Sequence, residues 1–247
     1  MLFQHKTIMI TGAASGIGKA TALKFAREGA NVAIVDSDVK AGVQLLVQIN
    51  EEGLSASFYN CDLNHEEEIK NIVNRIITDY GQLDYAFNNA GIGGDFAKVE
   101  AYPTEDWDQV MSVNLRAVFL CMKYQIPHIL AQKGAIVNTA SLLSTVAYEN
   151  DSAYVASKFG VLGLTKNAAL EYAALGIRIN AISPGFTRTP MIDKGDEEKL
   201  SHIASKHPIG RLATPEEIAE GVAWLCSDKA SYAVGMNLLL DGGYTLQ

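Results

Sequence analysis

The sequence predicts an α/β doubly wound fold, in which helices cover both faces of a seven-stranded parallel sheet. Two observations predict it. Apolar segments of strand length alternate with amphipathic segments of helix length along the chain, which is the pattern of consecutive β–α–β units. The predicted strands are also apolar on both faces, as parallel strands buried between helices are. Right-handed crossovers between such strands produce a doubly wound sheet.

Seven segments have the length and composition of strands, being rich in valine, isoleucine and other apolar residues and bounded by turn residues. The first, TIMIT, runs directly into a glycine-rich turn, and the second, NVAIVD, ends on an aspartate. We predict strands at Thr7–Thr11, Asn31–Asp36, Ala56–Asn60, Tyr85–Asn88, Ala135–Thr139, Arg178–Ser183 and Met236–Leu240.

Six segments between these strands have helical periodicity, and four of them are followed by a glycine that can end a helix. The last begins after Thr214-Pro215, a favourable helix start. We predict helices at Ile17–Glu28, Val39–Glu52, His65–Tyr80, Thr104–Gln132, Ser152–Leu175 and Glu216–Ser227. The longest segment predicted to be irregular is Pro184–Pro208, and two interpretations of it stay open: a lid or binding loop, or a solvated excursion.

Composition bounds the function. The chain of 247 residues is long enough for one large domain, and no linker or repeat divides 1–247. A net charge of −8, from 20 basic and 28 acidic residues, argues against nucleic-acid binding through a basic surface. The three scattered cysteines indicate buried thiols in a reducing compartment. With no signal peptide and no long apolar span, we expect a cytoplasmic protein that binds neither membrane nor nucleic acid.

The turn after the first predicted strand has the features of a phosphate-binding loop. It reads Thr11-Gly12-Ala13-Ala14-Ser15-Gly16-Ile17-Gly18 and a helix follows it. Glycines allow a tight turn and a close backbone approach, and the helix N-terminus offers free N–H groups to a pyrophosphate. The spacing is G-x-x-x-G-x-G rather than the common G-x-G-x-x-G. The strand–turn–helix context therefore predicts a dinucleotide site.

An acidic residue predicts which dinucleotide binds. Asp36 ends the second strand, eighteen residues after Gly18. A carboxylate there can accept hydrogen bonds from both hydroxyls of the adenosine ribose and would repel a 2′-phosphate. The loop carries no basic side chain to neutralise such a phosphate. We therefore predict NAD rather than NADP as the cofactor.

Three residues suggest proton transfer. Tyr154 and Lys158 are four residues apart and so share one face of a helix, and Ser141 precedes Tyr154 by thirteen residues. A nearby positive charge favours phenolate, so we expect Lys158 to lower the pKa of Tyr154. A tyrosine tuned in this way can donate a proton to, or remove one from, an alcohol or ketone oxygen, which Ser141 could hold by a hydrogen bond.

These motifs together resemble the short-chain dehydrogenase/reductase family, whose members include 3-oxoacyl-carrier-protein reductases and sugar, polyol and steroid dehydrogenases. The resemblance covers essentially the whole chain and implies a Rossmann fold. The motifs that carry it, in chain order, are the glycine loop, Asp36, Cys61-Asp62-Leu63, Asn88-Asn89-Ala90-Gly91, Asn114, Ser141, Tyr154-x-x-x-Lys158, Pro184-Gly185 and Asp241-Gly242-Gly243.

The resemblance implies roles for individual residues. Tyr154 is the expected acid/base, Lys158 lowers its pKa and binds the nicotinamide ribose, and Ser141 polarises the substrate oxygen. Asn114 is expected to hold a water of the proton relay, although a buried amide satisfied by backbone is the alternative. The expected cofactor-binding residues are Gly12, Ser15, Gly16, Ile17, Gly18, Asp36, Asp62, Leu63, Asn89, Ala90, Gly91, Tyr154, Lys158, Pro184, Gly185 and Thr187.

The expected reaction is hydride transfer between NAD(H) and a secondary alcohol or ketone. Two alternatives stay open: an NADPH-dependent 3-oxoacyl reductase, and a non-catalytic dinucleotide sensor, since fold alone does not fix function. The five histidines have no metal-site spacing, so we expect no catalytic metal. The resemblance also implies a homotetramer. Substrate identity stays open, with a small neutral alcohol, polyol or cyclic ketone preferred and candidate contacts at Gly93, Phe96, Tyr148 and Met191.

Overall fold

The computed structural model describes residues 1–192 and 197–246, and it contains all seven predicted strands. Their bounds match the prediction except that the sixth strand extends to Pro184 and the seventh begins at Asn237. The strands are β1 (Thr7–Thr11), β2 (Asn31–Asp36), β3 (Ala56–Asn60), β4 (Tyr85–Asn88), β5 (Ala135–Thr139), β6 (Arg178–Pro184) and β7 (Asn237–Leu240).

The predicted helices are present, with shifts of one residue at several ends. The helix that begins at Ser152 ends three residues early, at Tyr172, and a 3-10 turn continues it over Ala173–Leu175. The α-helices are α1 (Gly16–Arg27), α2 (Val39–Glu51), α3 (Glu66–Tyr80), α4 (Thr104–Met111), α5 (Ala117–Gln132), α6 (Ser152–Tyr172), α7 (Glu197–Ser205) and α8 (Pro215–Cys226). No helix within residues 1–192 and 197–246 is long and apolar enough to cross a membrane.

The strands form one parallel sheet in the order β3-β2-β1-β4-β5-β6-β7. The chain moves outward from β1 to β3 and then returns to the other side of β1 at β4. Loops at the carboxyl ends of β1 and β4 therefore diverge and leave a crevice between them, which is where ligands bind in open α/β sheets. The doubly wound fold class is confirmed.

Apolar residues pack in two clusters, one on each face of the sheet. Successive residues of β1 point into different clusters. Met9 belongs to the cluster under α3, α5 and α6, while Ile8 and Ile10 belong to the cluster under α1, α2 and α8. Helices on both faces explain why the central strands are buried throughout. This rigid sheet holds the loops at its carboxyl edge.

Two segments differ from the prediction. The predicted helix Thr104–Gln132 contains a π-helical turn at Ser112–Arg116, between α4 and α5. The chain stays helical through this π turn, so the sequence reads as one continuous helix, and such turns are frequent at functional sites. The prediction that Pro184–Pro208 is irregular was wrong at α7, where Leu200 and Ile203 are buried one turn apart among charged neighbours. The interpretation of this segment as a lid also involves residues 193–196, which lie outside the described residues.

Candidate active site

A cleft of about 1600 Å³ runs along the carboxyl edge of the sheet. This is more than a drug-sized ligand needs, so it has room for a dinucleotide and a small second molecule. All but two of the predicted site residues line it: Gly12, Ser15, Gly16, Ile17, Asp36, Asp62, Leu63, Asn89, Ala90, Gly91, Gly93, Phe96, Ser141, Tyr148, Tyr154, Lys158, Pro184, Gly185, Thr187 and Met191. The two exceptions, Gly18 and Asn114, are buried directly behind its wall.

The glycine loop forms a cradle at one end of the cleft. Gly12 and Gly16 adopt φ angles of 62° and 51°, a region that other residues rarely occupy. A Cβ on Gly12 would lie 2.8 Å from the Cα of Ala90. Ser15 precedes α1 without capping it by its side chain, so the first N–H groups of α1 have no side-chain partner there. This arrangement fits a pyrophosphate.

Asp36 connects β2 to this loop. One carboxylate oxygen accepts a hydrogen bond from the N–H of Ala14 at 2.9 Å, and the other accepts one from the N–H of Asp38 at 2.9 Å. A carboxylate can accept about four hydrogen bonds, so both oxygens retain capacity for a ligand. Asp36 therefore positions the loop and still presents acceptors to the cleft that it lines.

Asn89 and Gly18 support the loop from behind. The amide of Asn89 donates to the carbonyl oxygens of Thr11 and Gly12 at 3.1 and 3.2 Å. A Cβ on Gly18 would lie 2.1 Å from the carbonyl oxygen of Gly12, so only glycine lets α1 pack against the turn. The structure thus assigns Gly18 a packing contact, and Asn89 both lines the cleft and ties the end of β4 to the end of β1.

Ser141, Tyr154 and Lys158 meet in the middle of the cleft. Ser141 follows β5, and its Oγ accepts a hydrogen bond from the N–H of Leu143 at 3.1 Å. The Ser141 side chain also acts on the hydroxyl of Tyr154, since it lowers the pKa of that phenol. Lys158 lies one turn further along α6, with Nζ 5.5 Å from the centre of the Tyr154 ring. The same Nζ donates to the carbonyl oxygen of Thr139 at 2.8 Å.

The net pKa of Tyr154 lies above its ordinary value, whereas the sequence led us to expect a lowered one. Burial raises the pKa of Tyr154 to about 12, and the nearby Ser141 side chain opposes this only in part. Burial also lowers the pKa of Lys158 to about 8. Lys158 is held against Thr139 and over the face of the tyrosine ring, so burial outweighs its charge. At neutral pH the tyrosine is a proton donor and the lysine is mostly charged.

Asn114 lies in the π turn, behind Gly91. Its Nδ2 donates to the carbonyl oxygen of Ile92 at 2.9 Å, and its Oδ1 accepts from the N–H of Ile92 at 2.8 Å. A Cβ on Gly91 would lie 3.3 Å from this Oδ1 and 3.5 Å from the Nζ of Lys158. The amide therefore holds the loop after β4, as the alternative interpretation of Asn114 proposed, and it stands next to Lys158.

The other end of the cleft is walled by aromatic rings. Phe96, Tyr148, Phe186 and Tyr244 all line it, and their ring centres follow one another at 6.4, 6.1 and 5.8 Å. Sequence reasoning identified Phe96 and Tyr148 but missed Phe186 and Tyr244. The position of Phe186 directly after Pro184-Gly185 was an available signal, since the loop after β6 was already expected at the site. Tyr244 is far away in sequence and carries no such signal.

Asp151 is a further residue of the cleft that sequence reasoning missed. It precedes Tyr154 by three residues, lines the cleft and is buried. Within the described ranges, no group of three or more histidine, cysteine, aspartate and glutamate side chains is arranged to hold a metal ion.

Comparisons with known proteins agree with this geometry. A family model described as enoyl-(acyl carrier protein) reductase matches residues 12–245. The chain is 45% identical to a cyclohexanol dehydrogenase of Acinetobacter sp., over 98% of this chain and 96% of that protein. It is 40% identical to a cis-4-hydroxycyclohexanecarboxylate dehydrogenase of Sinomonas cyclohexanicum, over 98% of each chain.

A solved structure is similarly close. The crystal structure of an NAD+-bound xylitol dehydrogenase superposes with a TM-score of 0.93 at 33% identity, covering 98% of this chain and all of that one. Sequence and fold therefore point to the same group of enzymes.

Proposed function

The chain belongs to the short-chain dehydrogenase/reductase family, and we propose that it is an NAD-dependent dehydrogenase of cyclic secondary alcohols. One observation carries the proposal. Ser141 and Tyr154 line the same cleft, with Lys158 beside the tyrosine ring, between a dinucleotide cradle and an aromatic wall. An alcohol that lies against the wall would place its oxygen at this pair.

In this proposal NAD(H), when bound, supplies the hydride acceptor or donor, and the chain moves one proton. In alcohol oxidation, deprotonated Tyr154 removes the hydroxyl proton, and in ketone reduction its hydroxyl returns a proton to the oxygen. Ser141 donates a hydrogen bond that holds the same oxygen. Lys158 keeps a positive charge beside Tyr154 and stabilises the deprotonated state. Asn114 completes the set by fixing the loop beside Lys158, with a bound water as the expected proton relay.

NAD is proposed over NADP because of Asp36. Its carboxylate lines the end of the cleft beside the glycine loop and Ser37, where a 2′-phosphate would meet negative charge. The lysines that line the described part of the cleft are Lys158, Lys199 and Lys206, and none of them belongs to β1, α1 or β2. The proposed adenosine pocket is completed by Asp62 and Leu63, which follow β3. The proposed nicotinamide pocket is formed by Pro184, Gly185 and Thr187.

A cyclic substrate is proposed because the wall is built of flat apolar rings. Phe96, Tyr148 and Phe186 come from three different loops yet stack edge to face along one side of the cleft, and such a surface suits the body of an alicyclic ring. The names of the relatives, a cyclohexanol dehydrogenase and a hydroxycyclohexanecarboxylate dehydrogenase, support the same class.

The test is a steady-state assay of the purified wild-type protein. We expect NAD+-dependent oxidation of cyclohexanol with higher kcat/KM than acyclic 2-hexanol, and weaker activity with NADP+. An acetoacetyl thioester assayed with NADPH tests the 3-oxoacyl reductase alternative. Preferred use of NADPH and the thioester would overturn the proposal, and tight NADH binding without turnover of any alcohol or ketone would favour a sensor.

We also propose a cytoplasmic homotetramer. The three cysteines are buried free thiols, as is usual in reducing compartments. Exposed apolar side chains lie on α5 and α6 (Phe119, Phe159) and near the edge strand β7 (Trp224, Met236), and patches of this kind suit subunit contacts. Light scattering should give a mass about four times the 26.6 kDa of the chain, whereas a monomer mass at micromolar concentration would contradict this assembly.

A further inference from the structure

Asp151 differs from the other buried acidic residues of the described chain. The buried acidic residues are Asp84, Asp151 and Asp241, with 1%, 8% and 8% of their surface exposed. Asp84 accepts hydrogen bonds from Lys6, from the N–H of Thr7 and from Gln82. Asp241 accepts them from the backbone of residues 243 and 245 and from a threonine hydroxyl. Both acids therefore have their desolvation compensated.

The carboxylate of Asp151 lacks such protein partners, and its oxygens keep some contact with the cleft. It occupies the position before α6 but does not cap the helix, and it receives no hydrogen bond or ion pair from the described residues. Burying a carboxylate without a partner is costly, and the charged form is destabilised accordingly, since burial raises the pKa of Asp151 to about 6. A carboxylate that lines a cleft without a hydrogen-bond donor from the protein is a candidate to accept a hydrogen bond from a bound ligand.

Its surroundings fix where that ligand group would lie. Asp151 immediately precedes the first residue of α6 and lies three residues before Tyr154, near enough for its charge to act on that tyrosine. The N–H of Ala97 donates to the carbonyl oxygen of Asn150 at 3.0 Å, and a parallel bridge joins Ala97 to Asp151. Asp151 is thereby held between Tyr154 and the loop that carries Phe96 at the start of the aromatic wall.

Among the described residues, the groups whose pKa responds to the charge of Asp151 are the phenols of Tyr102 and Tyr154. Burial is the main cause of the raised pKa of Tyr154, and the charge of Asp151 adds to it. Tyr102, whose pKa is raised by burial and by its hydrogen bond to Asp106, also senses that charge. Neither residue donates a hydrogen bond to Asp151, and the hydroxyl of Tyr102 donates to Asp106 instead.

We propose that Asp151 is a specificity-determining residue that accepts a hydrogen bond from a second hydroxyl group on the ring of the alcohol substrate. This inference rests on the proposed function. The reacting oxygen lies at Ser141 and Tyr154, the ring lies along the aromatic wall, and the second hydroxyl on a distant ring carbon meets Asp151. The same negative charge repels substrates that carry a carboxylate at that position.

The experiment compares substrates within each variant, with NAD+ as cofactor. The substrates are cyclohexanol, cyclohexane-1,3-diol, cyclohexane-1,4-diol and 4-hydroxycyclohexanecarboxylate, assayed at pH 8 with wild type, Asp151→Ala and the isosteric Asp151→Asn. Wild type should prefer one diol over cyclohexanol by roughly tenfold or more in kcat/KM, the size expected of one hydrogen bond to a charged group. Asp151→Ala should lose that preference, because KM for the diol rises while KM for cyclohexanol does not, and the diol-to-cyclohexanol ratio cancels any change in turnover common to both substrates.

A gain of activity distinguishes recognition from structural damage. Asp151→Asn should turn over the carboxylate substrate better than wild type, because the repulsion is gone, and its melting temperature should be at least that of wild type. Asp95→Asn, which removes an exposed acid from the loop after β4, is the matched control and should change neither ratio.

The possible failures are distinguishable. If wild type oxidises cyclohexanol but shows no diol preference, or if Asp151→Ala keeps that preference, the inference is overturned and the proposed function stands. If wild type discriminates against no carboxylate, the repulsion is overturned. If wild type oxidises none of the ring alcohols, the proposed function fails and the inference with it.

Discussion

The two ends of the cleft are built in different ways. The cofactor end is made of backbone and of short polar side chains at strand ends, and Asp36 and Asn89 bind it together by hydrogen bonds to the glycine loop. The substrate end is made of large side chains from loops that do not adjoin in sequence, such as Phe96 and Phe186. The first end tolerates almost no change at Gly12 or Gly18, whereas the second can change its lining without disturbing the sheet.

This difference separates reaction from specificity. Because the sheet positions the cofactor end and Ser141, proton and hydride chemistry depends on few residues with strict geometry. Because loops carry the rings, the choice of substrate depends on side-chain identity. Variants in the two regions should therefore have different effects. Substitutions at Ser141, Tyr154 and Lys158, which lie at the junction of the two ends, should lower the turnover of every substrate. Substitutions in the aromatic wall should change the ratio of activities between substrates.

The largest effect is expected at the junction of the two ends. Tyr154→Phe removes the only atom proposed to carry the proton, so kcat/KM for cyclohexanol should fall by roughly 10²–10⁴-fold, equally for all alcohols. NADH fluorescence titration should give an affinity close to that of wild type. Tyr172→Phe, near the end of the same helix, is the matched control. Retention of more than a tenth of wild-type turnover by Tyr154→Phe would break the account.

A smaller loss of activity with a gain of stability is expected at Lys158. Lys158→Met should lower kcat/KM by roughly 10–100-fold, the value of one charge-assisted hydrogen bond in the site. Lys158 is 2% exposed, and its folded pKa of about 8 lies below its ordinary value. Its charge therefore destabilises the fold at neutral pH by a few kcal/mol, partly offset by the hydrogen bond to Thr139.

The sign of that effect defines its pH window. Because the pKa of Lys158 is lower in the folded state than in the unfolded state, the fold carries no penalty from this residue at pH values above the unfolded pKa. The penalty develops as pH falls to the folded pKa of about 8. Thermal melting should therefore show Lys158→Met above wild type by several degrees at pH 7, roughly 5 °C, with the advantage shrinking as pH approaches 10. A variant that melts below wild type at pH 7 would show that the buried charge is compensated by groups other than Thr139.

The smallest effect is expected at the aromatic wall. Phe186→Ala should lower kcat/KM for cyclohexanol relative to 2-hexanol by roughly tenfold, because a ring substrate loses an apolar contact surface, while NADH affinity stays unchanged. Phe186→Leu keeps apolar volume and should recover part of the selectivity. If both alcohols lose activity equally in Phe186→Ala, the wall supports the fold rather than selecting the ring.

The same contrast explains how much the sequence could predict. Strand ends and glycine positions follow from local patterns, so the predicted cofactor residues line the cleft, and only Gly18 lies behind it. Asp151, Phe186 and Tyr244 meet through tertiary contacts between distant segments, which no local pattern contains. The π turn at Ser112–Arg116 was missed because the chain stays helical through it. The helix Glu197–Ser205 was missed because two buried apolar residues among charged ones are too few to show a helical period. The pKa of Tyr154 required knowledge of burial.

The central claim is that Tyr154 carries the proton, and the pH dependence of oxidation tests it most directly. Because burial raises the pKa of Tyr154 to about 12, its deprotonated form is scarce at neutral pH and increases about tenfold per pH unit. A positive charge near Tyr154 lowers the pH at which the oxidation rate stops rising, but the rate still increases with pH below that point. We predict that kcat/KM for NAD+-dependent cyclohexanol oxidation rises with pH between 6.5 and 8 in wild type, and that the residual rate of Tyr154→Phe is independent of pH. The same slope in both proteins would contradict the assignment.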